Sequence, residues 1–227
     1  MIKERIMRKI YLFVAVAAVF LCIGCNDGGV ESGGGDAVAF LNRFYGYETE
    51  TVTIGGHSWT KKNLNIETAD SWCYENSTDN CEKYGRLYTW EAAKSVCQSI
   101  GMKLPTVNDW IILFEAVGGE SVAVKKLKSK SGWDDYCGDY DEPQPCESGN
   151  GTDDYEFSAL PGGYCNACNA GGGWAPGTVG YWWTETKNYG SDGAKHAEMY
   201  YHVDRADVGI GFVGGGEMGL SVRCVKE

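Results

Sequence analysis

The stretch YGRLYTWEAAKSVCQSIGMKLPTVNDW, Tyr84–Trp110, carries the densest run of structural signals in the chain. A short strand is predicted over Arg86–Tyr88, and Thr89 after it is a good N-cap residue for a helix. The helix is predicted to run from Trp90 to Ile100, because apolar residues recur there at spacings of three and four and form one face. A glycine follows, which suits the left-handed conformation after a helix end. This stretch therefore predicts a strand followed by an amphipathic helix.

A second helix is predicted directly downstream, after an extended link that ends in Pro105. Thr106 begins the helix, and Asp109 three residues later completes a start that resembles a capping box. Apolar residues from Trp110 to Val117 form a wide stripe, and two glycines then end the helix. Two consecutive helices in a chain otherwise rich in glycine and aromatic residues predict an α+β fold with a packed core.

The remaining regular structure is predicted to be β-strand. Thr51–Ile54 and His57–Thr60 flank two glycines, a pattern typical of a β-hairpin. Tyr181–Thr184 is predicted to be a central strand whose two tryptophans point to opposite sides, and His196–His202 alternates in the same manner. Leu220–Val225 is predicted to close the sheet.

Six short motifs stand in order along the chain. They are Cys73 with Tyr74, Tyr84–Ala93, Cys97, Leu104–Trp110, Ser158–Gly163 and Ser221–Val225. The segment that carries these motifs, about residues 50–227, resembles the Fibrobacter succinogenes major paralogous domain, a family of bacterial surface proteins. That family is similar in turn to the formylglycine-generating enzymes (sulfatase-modifying factors) and to C-type-lectin-like domains.

The resemblance implies a fold but not an activity. We expect a C-type-lectin-like, sulfatase-modifying-factor-like fold, with two helices packed on twisted, mostly antiparallel sheets, long loops, disulfides, and the last strand beside the first. The formylglycine-generating enzymes use a copper-binding cysteine pair late in the chain, whereas Cys224 is the only late cysteine here. Cys165 and Cys168 lie too early to match. We therefore expect no catalytic residues and no enzyme.

The first 24 residues are predicted to be a signal peptide. A basic start precedes Ile10–Ile23, which is almost wholly apolar but shorter than the ~20 residues that a membrane span needs. Cys25 follows a small residue, as in bacterial lipoprotein signals, and is the predicted lipidation site. Cys22 stands where that pattern usually has an aliphatic residue, so ordinary secretion is the alternative. We expect a location in the cell envelope, at the outer membrane or cell surface.

The segment between this signal and the domain, residues 25–47, is rich in glycine and acidic residues and is predicted to be a flexible tether. The domain itself is predicted to span residues 48–227, a length that supports one core. Removal of residues 1–24, which carry a net charge of +3, changes the net charge of the chain from −11 to −14. So acidic a protein is a poor candidate for nucleic-acid binding, which depends on lysine and arginine against phosphate.

Eight cysteines follow Cys25, an even number that argues for disulfides in an exported chain. Their local spacing predicts the pairs Cys73–Cys81, Cys137–Cys146 and Cys165–Cys168. Eight cysteines allow many pairings, so spacing alone does not decide between them. C-type-lectin-like domains have a bridge from the first helix to the last strand, and the resemblance implies Cys97–Cys224 in that role. For Cys165 and Cys168, a redox pair or half of a zinc site are the alternatives.

An acidic segment brackets the loop between Cys137 and Cys146. Its candidate calcium ligands are Asp139, Asp141, Glu142, Asp153 and Asp154. Calcium takes six to eight oxygen ligands, and carboxylates supply many of them in proteins. A solvated acidic loop is the alternative, and no EF-hand spacing is present. Calcium is the one cofactor that the sequence suggests.

Aromatic residues concentrate in the second half of the chain, where exposed rings would suit the apolar faces of sugars. We predict that the exposed, ligand-contacting minority is Trp174, Trp183, Tyr189 and Tyr201. The basic run Lys125–Lys130 is interpreted as a solvated helix end or loop. These features favour a non-catalytic binding module for a polysaccharide or a surface protein. The alternatives are a purely structural envelope protein and a degenerate enzyme.

Overall fold

The structure is a computed structural model, and it describes residues 49–138, 145–166, 168, 173–188, 193–202, 205–211 and 218–227. For residues 173, 174, 210 and 211 it describes the backbone alone. The predicted signal peptide, the lipidation site Cys25 and the predicted tether lie outside this range.

Strands and helices are both present in the described residues. The strands are β1 (Thr51–Ile54), β2 (His57–Thr60), β3 (Ser71–Trp72), β4 (Leu87–Tyr88), β5 (Asp135–Tyr136), β6 (Glu147–Ser148), β7 (Tyr164–Cys165), β8 (Gly173–Trp174), β9 (Val179–Lys187), β10 (Ala194–Tyr200), β11 (Asp207–Gly211), β12 (Gly219–Leu220) and β13 (Val225–Lys226). The helices are α1 (Thr78–Tyr84), α2 (Trp90–Ser99), α3 (Val107–Val117) and α4 (Glu120–Leu127). The predicted α+β class is confirmed. Within these residues no helix has the length and apolarity needed to cross a bilayer.

Helices α1 and α4 add to the two helices that the sequence predicts. Helix α1 has seven mostly polar residues, and α4 has eight residues that follow two glycines. Segments this short carry too few apolar repeats for periodicity to mark them. Their stability therefore depends on contacts with the rest of the fold.

The described strands form four sheets, and each pairing between named strands is antiparallel. Their orders are β1-β2-β13, β11-β10-β9, β3-β4-β12-β7-β8 and β5-β6. The predicted hairpin is the pair β1–β2, with Thr51 opposite Thr60. Strand β13 lies beside β2, with Val225 opposite Trp59, so the last strand pairs with the second strand and not with the first as expected. The end of the chain thus closes the sheet that its first hairpin begins.

The two predicted helices begin at the residues that the local signals indicate. The Thr89 side chain accepts a hydrogen bond from Ala92 N at the start of α2. Thr106 and Asp109 form a reciprocal capping box at the start of α3. Thr106 N donates to Asp109 Oδ2 at 2.7 Å, and Asp109 N donates to Thr106 Oγ1 at 3.2 Å. Gly118, in the left-handed conformation, ends α3. The first turns of both helices are thereby satisfied locally.

Strands β9 and β10 are covered on both faces. Trp182 points into a core cluster with Trp110, and its neighbour Trp183 points into a second cluster with Tyr88. Trp183 is 3 % exposed, and its Nε1 donates to Tyr88 O at 2.7 Å. The prediction that Trp183 is an exposed ligand contact is therefore wrong. Alternation decides the side to which a residue points, whereas exposure depends on what covers that side.

Arg223 lies at the centre of the fold without exposed surface. Its guanidinium donates to the carbonyl oxygens of Thr60, Phe157 and Ser158 at 2.7, 2.7 and 2.6 Å, and to Asn63 Oδ1 at 2.9 Å. Burial lowers the pKa of Arg223 to about 9. The two late sequence motifs, which contain Ser158 and Arg223, therefore meet at this side chain.

Four disulfides join the described cysteines, and they are the expected pairs. They are Cys73–Cys81, Cys97–Cys224, Cys137–Cys146 and Cys165–Cys168. Cys97 and Cys224 are fully buried and join α2 to the segment before β13. Cys165 and Cys168 are also buried, so in this structure they form an enclosed disulfide rather than a metal site. The bridge between β5 and β6 differs, because both of its cysteines are exposed.

Candidate functional site

The predicted ligand-contacting residues have different positions in the structure. Trp183 is buried, as described above, and Tyr189 lies outside the described residues. Trp174 is described by its backbone alone, which pairs with Tyr164 across β7 and β8. Tyr201 follows β10, is half-buried and packs against the edge of a core cluster. The candidate site is therefore built outward from Tyr201.

Tyr201 belongs to a continuous run of ring contacts at the end of β10. Its ring centroid lies 4.6 Å from that of His202 and 5.8 Å from that of Tyr136, and the last two are 5.3 Å apart. Tyr200 lies 6.1 Å from His202 and also 6.1 Å from Tyr181. We call these five residues the aromatic surface. His202 is exposed, Tyr181 is buried, and the other three are half-buried.

The end of strand β10 explains why the rings gather. Tyr200 is the last residue of the strand, and the next amide, of Tyr201, donates to Thr178 O at 2.8 Å. Consecutive side chains on a strand point to opposite sides. Tyr200 therefore contacts Tyr181, while Tyr201 contacts Tyr136, and the following histidine contacts both groups. The surface thus wraps around the end of the strand.

The fifth ring, of Tyr136, lies on a hairpin that a disulfide closes. Tyr136 lies on β5, opposite Glu147 on β6, and both strands have two residues with little burial. The disulfide Cys137–Cys146 joins the residues next to this pair. A loop of this size is worth about 2–3 kcal/mol in the chain-entropy model of disulfide stabilisation. The bridge therefore compensates for a hairpin that has almost no core of its own.

A hydrogen-bonded relay supports the aromatic surface from the strand interior. The hydroxyl oxygens of Tyr181 and Tyr200 are 2.8 Å apart, and the Tyr200 hydroxyl donates to Glu198 Oε2 at 3.3 Å. His196 Nε2 lies 3.1 Å from the same carboxylate oxygen. Burial is the main cause that raises the pKa of both tyrosines. Their hydroxyls therefore stay protonated at neutral pH and hold the two rings in a fixed arrangement.

Lys128 connects the two segments that carry the rings. It is 2 % exposed, so the interpretation of Lys125–Lys130 as a solvated helix end is wrong at this position. Its Nζ donates to Tyr200 O at 2.5 Å and to Gly149 O at 3.0 Å, and lies 4.2 Å from the centre of the Trp133 ring. The side chain turns inward because carbonyl groups from two neighbouring segments converge on its amine. Lys128 thus has a structural role that its position in a basic run does not indicate.

The predicted calcium ligands are only partly described. Asp139, Asp141 and Glu142 lie outside the described residues. Asp153 accepts hydrogen bonds from Ser158 N at 2.7 Å and from Ser158 Oγ at 2.6 Å, which hold a turn, and Asp154 is exposed. Among the residues that the structure describes, no group of three or more histidine, cysteine, aspartate or glutamate side chains is arranged to hold a metal ion.

A separate cleft of about 340 Å³ opens on another part of the surface. Its walls are formed by Thr49, Thr51, Ser58, Ile100, Gly101, Met102 and Lys226. None of these residues belongs to the aromatic surface, and none carries a carboxylate. The cleft offers hydroxyl groups and one ammonium group, without the pair of acids that hydrolysis of a glycosidic bond uses.

The sequence indicated Tyr201 as a ligand contact, but it indicated neither the other members of the aromatic surface nor Lys128. The spacing of His196, Glu198 and Tyr200 by two residues was a usable signal, because it places all three on one side of a strand. No local signal joins Tyr136 to Tyr201, since the two lie on segments that are distant in sequence.

The comparison with protein families agrees with the motifs. The model of the Fibrobacter succinogenes major domain matches residues 52–226, so the chain belongs to that family. No curated protein and no solved structure shows significant similarity to the chain.

Proposed function

We propose that this protein is an exported, lipid-anchored protein of the cell envelope that binds polysaccharide without catalysis. The observation that carries the proposal is the continuous run of five rings in the aromatic surface, with His202 exposed. Sugar rings present apolar C–H faces that stack on aromatic side chains, and hydroxyl edges that bond to phenol and imidazole groups. A partly exposed surface of this composition suits a polymer that lies along it.

The fold that we propose for this function is the C-type-lectin-like, sulfatase-modifying-factor-like fold. Two features support it. Cys97–Cys224 joins an early helix to the end of the chain, and β13 pairs with β2. Long connections between short strands are a third feature, and they are where such scaffolds carry binding surfaces.

A non-catalytic role is favoured over a degenerate enzyme by three observations. Among the residues that the structure describes, none of those in the walls of the cleft is acidic. Cys224 is bonded to Cys97, so it does not supply the free thiol that the formylglycine-generating enzymes use. The relay around Glu198 is also unlike a hydrolytic pair, because its carboxylate is engaged by His196 and Tyr200.

Export is supported by the four disulfides, because such bonds persist in oxidising compartments. Anchoring through Cys25 follows from the signal pattern and is tested by Cys25→Ser. The variant should leave the membrane fraction and lose the mass of the lipid. Recovery of wild-type protein from the culture medium, without lipid, would instead identify a secreted protein.

The binding proposal is tested with the purified, oxidised protein on a panel of insoluble polysaccharides and soluble glycans. We expect saturable binding that Tyr201→Ala and His202→Ala each weaken by about tenfold, equivalent to about 1.4 kcal/mol. Tyr74→Ala is the matched control, since this half-buried tyrosine lies outside the aromatic surface. Thermal unfolding of all variants separates loss of contact from loss of fold.

Parallel samples with calcium and with a chelator test the candidate ligands Asp139, Asp141, Glu142, Asp153 and Asp154. Binding that the chelator abolishes and calcium restores would assign them a role. Binding that is equal in both samples would remove calcium from the proposal. No saturable binding to any glycan would contradict the polysaccharide proposal and favour a surface-protein partner or a structural role.

A further inference from the structure

We infer that Lys128 is the positioning residue of the aromatic surface, and that its buried ammonium holds together the two chain segments that present the rings. The ligand-binding part of this inference rests on the proposed function. The positioning part does not, because ring positions can be measured without a ligand.

The geometry of the ammonium is the first step. Lys128 Nζ lies 2.5 Å from Tyr200 O and 3.0 Å from Gly149 O. Tyr200 is followed directly by Tyr201 and His202, which carry the exposed part of the surface. Gly149 follows strand β6, whose partner strand carries the fifth ring. One side chain therefore bonds to the backbone of both segments.

The contact between these two segments is tight. A Cβ atom added to Gly149 would lie 3.1 Å from Tyr201 Cβ and 3.1 Å from Tyr201 O. The carbonyl oxygens of Gly149 and Tyr200 lie close together, because both are within 3.0 Å of one Nζ, and their partial negative charges repel unless a donor lies between them. The lysine ammonium carries three donors on a compact head, so it can bond to both carbonyls at once.

The ring of Trp133 fixes the ammonium from another side. Lys128 Nζ lies 4.2 Å from the centre of this ring, and Trp133 Nε1 donates to Ala159 O at 2.9 Å. Trp133 is itself 4 % exposed. An aromatic face attracts a cation, which offsets part of the cost of burying the charge. The ammonium is therefore held at a defined position and not merely enclosed.

Lys125, in helix α4, which ends directly before Lys128, provides a matched control. It is exposed, and its Nζ lies 3.4 Å from Asn150 O, next to Gly149 in sequence. It therefore contacts the hairpin side of the junction without reaching Tyr200. Loss of its charge should leave the ring arrangement intact.

The test uses the full oxidised chain as wild type, Lys128→Met, Lys128→Gln and Lys125→Met. The first readout is the NMR chemical shift of the His202 ring protons without ligand, which the surrounding tyrosine rings displace from the random-coil value. The second readout is binding to the polysaccharide that the wild-type protein prefers. The indole N–H signal of Trp182 reports on the core in every sample.

We expect Lys128→Met to keep the Trp182 signal, to move the His202 shift towards the random-coil value, and to weaken binding by at least tenfold. Lys128→Gln should give an intermediate result, and Lys125→Met should match wild type. An unchanged His202 shift in folded Lys128→Met overturns the inference. If that variant does not fold, Lys128→Gln decides: a displaced His202 signal supports the inference, and an unchanged signal overturns it.

Failure of the proposed function has a different signature. If wild type binds no glycan while Lys128→Met still moves the His202 signal, the positioning role stands and the polysaccharide proposal fails. If glycan binding is present and is equal in wild type and folded Lys128→Met, the ligand-binding part of the inference fails and the proposed function stands, while the His202 shift alone decides the positioning part.

Discussion

The centre of the fold and the aromatic surface each contain a buried cation that bonds to backbone carbonyl groups. In the centre, Arg223 reaches the carbonyls of three residues and the amide oxygen of Asn63, and it has no exposed surface. At the aromatic surface, Lys128 reaches the carbonyls of Gly149 and Tyr200 and is 2 % exposed.

The difference lies in what the carbonyl partners belong to. The partners of Arg223 lie on segments of the core, where a planar fork of donors matches several acceptors at once. Of the partners of Lys128, Tyr200 is followed directly by Tyr201 and His202, and Gly149 follows the strand that pairs with the strand of Tyr136. The same chemistry therefore serves global stability in one region and the arrangement of a surface in the other.

The largest expected effect is on the free energy of unfolding, and it compares the buried disulfide of the core with the exposed disulfide beside the aromatic surface. The double variant Cys97→Ala with Cys224→Ala opens a loop with a sequence separation of 127 residues, and Cys137→Ala with Cys146→Ala opens one of 9. The chain-entropy model gives losses of about 5 and about 2–3 kcal/mol. Urea unfolding of both variants measures the difference. Equal losses would mean that the hairpin bridge is as central to the fold as the buried one.

The next effect tests the central cation. Arg223→Met should lower the free energy of unfolding by about 3–5 kcal/mol, because it leaves the buried carbonyls of Thr60, Phe157 and Ser158 without their donor. Arg205→Met is the control, since the Arg205 side chain is 63 % exposed and its ion pairs contribute little. Urea unfolding midpoints of the two variants give the comparison. A loss for Arg223→Met as small as that of the control would show that these bonds do not stabilise the core.

A smaller loss of stability is expected at the edge. Lys128→Met should cost about 1–3 kcal/mol, since the described bonds that it removes reach two carbonyl groups, against three for Arg223→Met. The same urea series ranks it against Arg223→Met. If the order were reversed, Lys128 would belong to the global core, and the contrast between the two regions would fail.

The smallest effect concerns alkaline pH. Burial raises the pKa of Tyr88, Tyr181 and Tyr200 above the ordinary value of 10.0. Above that pH the unfolded tyrosines lose their protons while the folded ones keep theirs, so stability falls as pH rises. Arg223 has a pKa of about 9 in the fold, below its ordinary value. Above pH 9 its contribution to stability therefore rises with pH, opposite to that of the tyrosines. Among the described residues the pKa of Tyr74 is raised as well, so the tyrosines outnumber the one arginine and the net slope above about pH 10 should be downward.

Tyr181→Phe measures the contribution of the aromatic surface to this slope, and Tyr88→Phe measures that of the buried core. Each should remove up to about 1.4 kcal/mol per pH unit, the value for one proton. Urea unfolding midpoints between about pH 8 and about pH 11 measure the slope. A slope that neither variant changes would mean that these hydroxyls ionise at their ordinary pKa in the folded protein.

Local signals predicted the elements best where the hydrogen bonds lie within a few residues. Thr106 with Asp109 predicted the start of α3, and the turn between β1 and β2 has Gly55 and Gly56 at φ +62° and +80°, as a tight hairpin turn requires. The short disulfide loops and the family motifs were predictable for the same reason, because spacing along the chain carries the information.

Prediction failed where burial depends on distant segments. Trp183 was expected at the surface because its neighbour Trp182 would occupy the core, but a second cluster covers its side of the sheet. Lys128 was expected in solvent because it lies in a charged run, but its amine bonds to carbonyls brought in from two other segments.

The sequence by itself therefore determined the family, the α+β class, the helix starts, the first hairpin and the local cysteine pairs. Only the tertiary structure decided which rings form a surface and which cations are buried. The physical reason is the distance along the chain between the residues that interact. Capping, turn conformation and short loops depend on the backbone within a few residues. The contact of Tyr136 with Tyr201 and the burial of Lys128 and Arg223 depend instead on how far-separated segments pack.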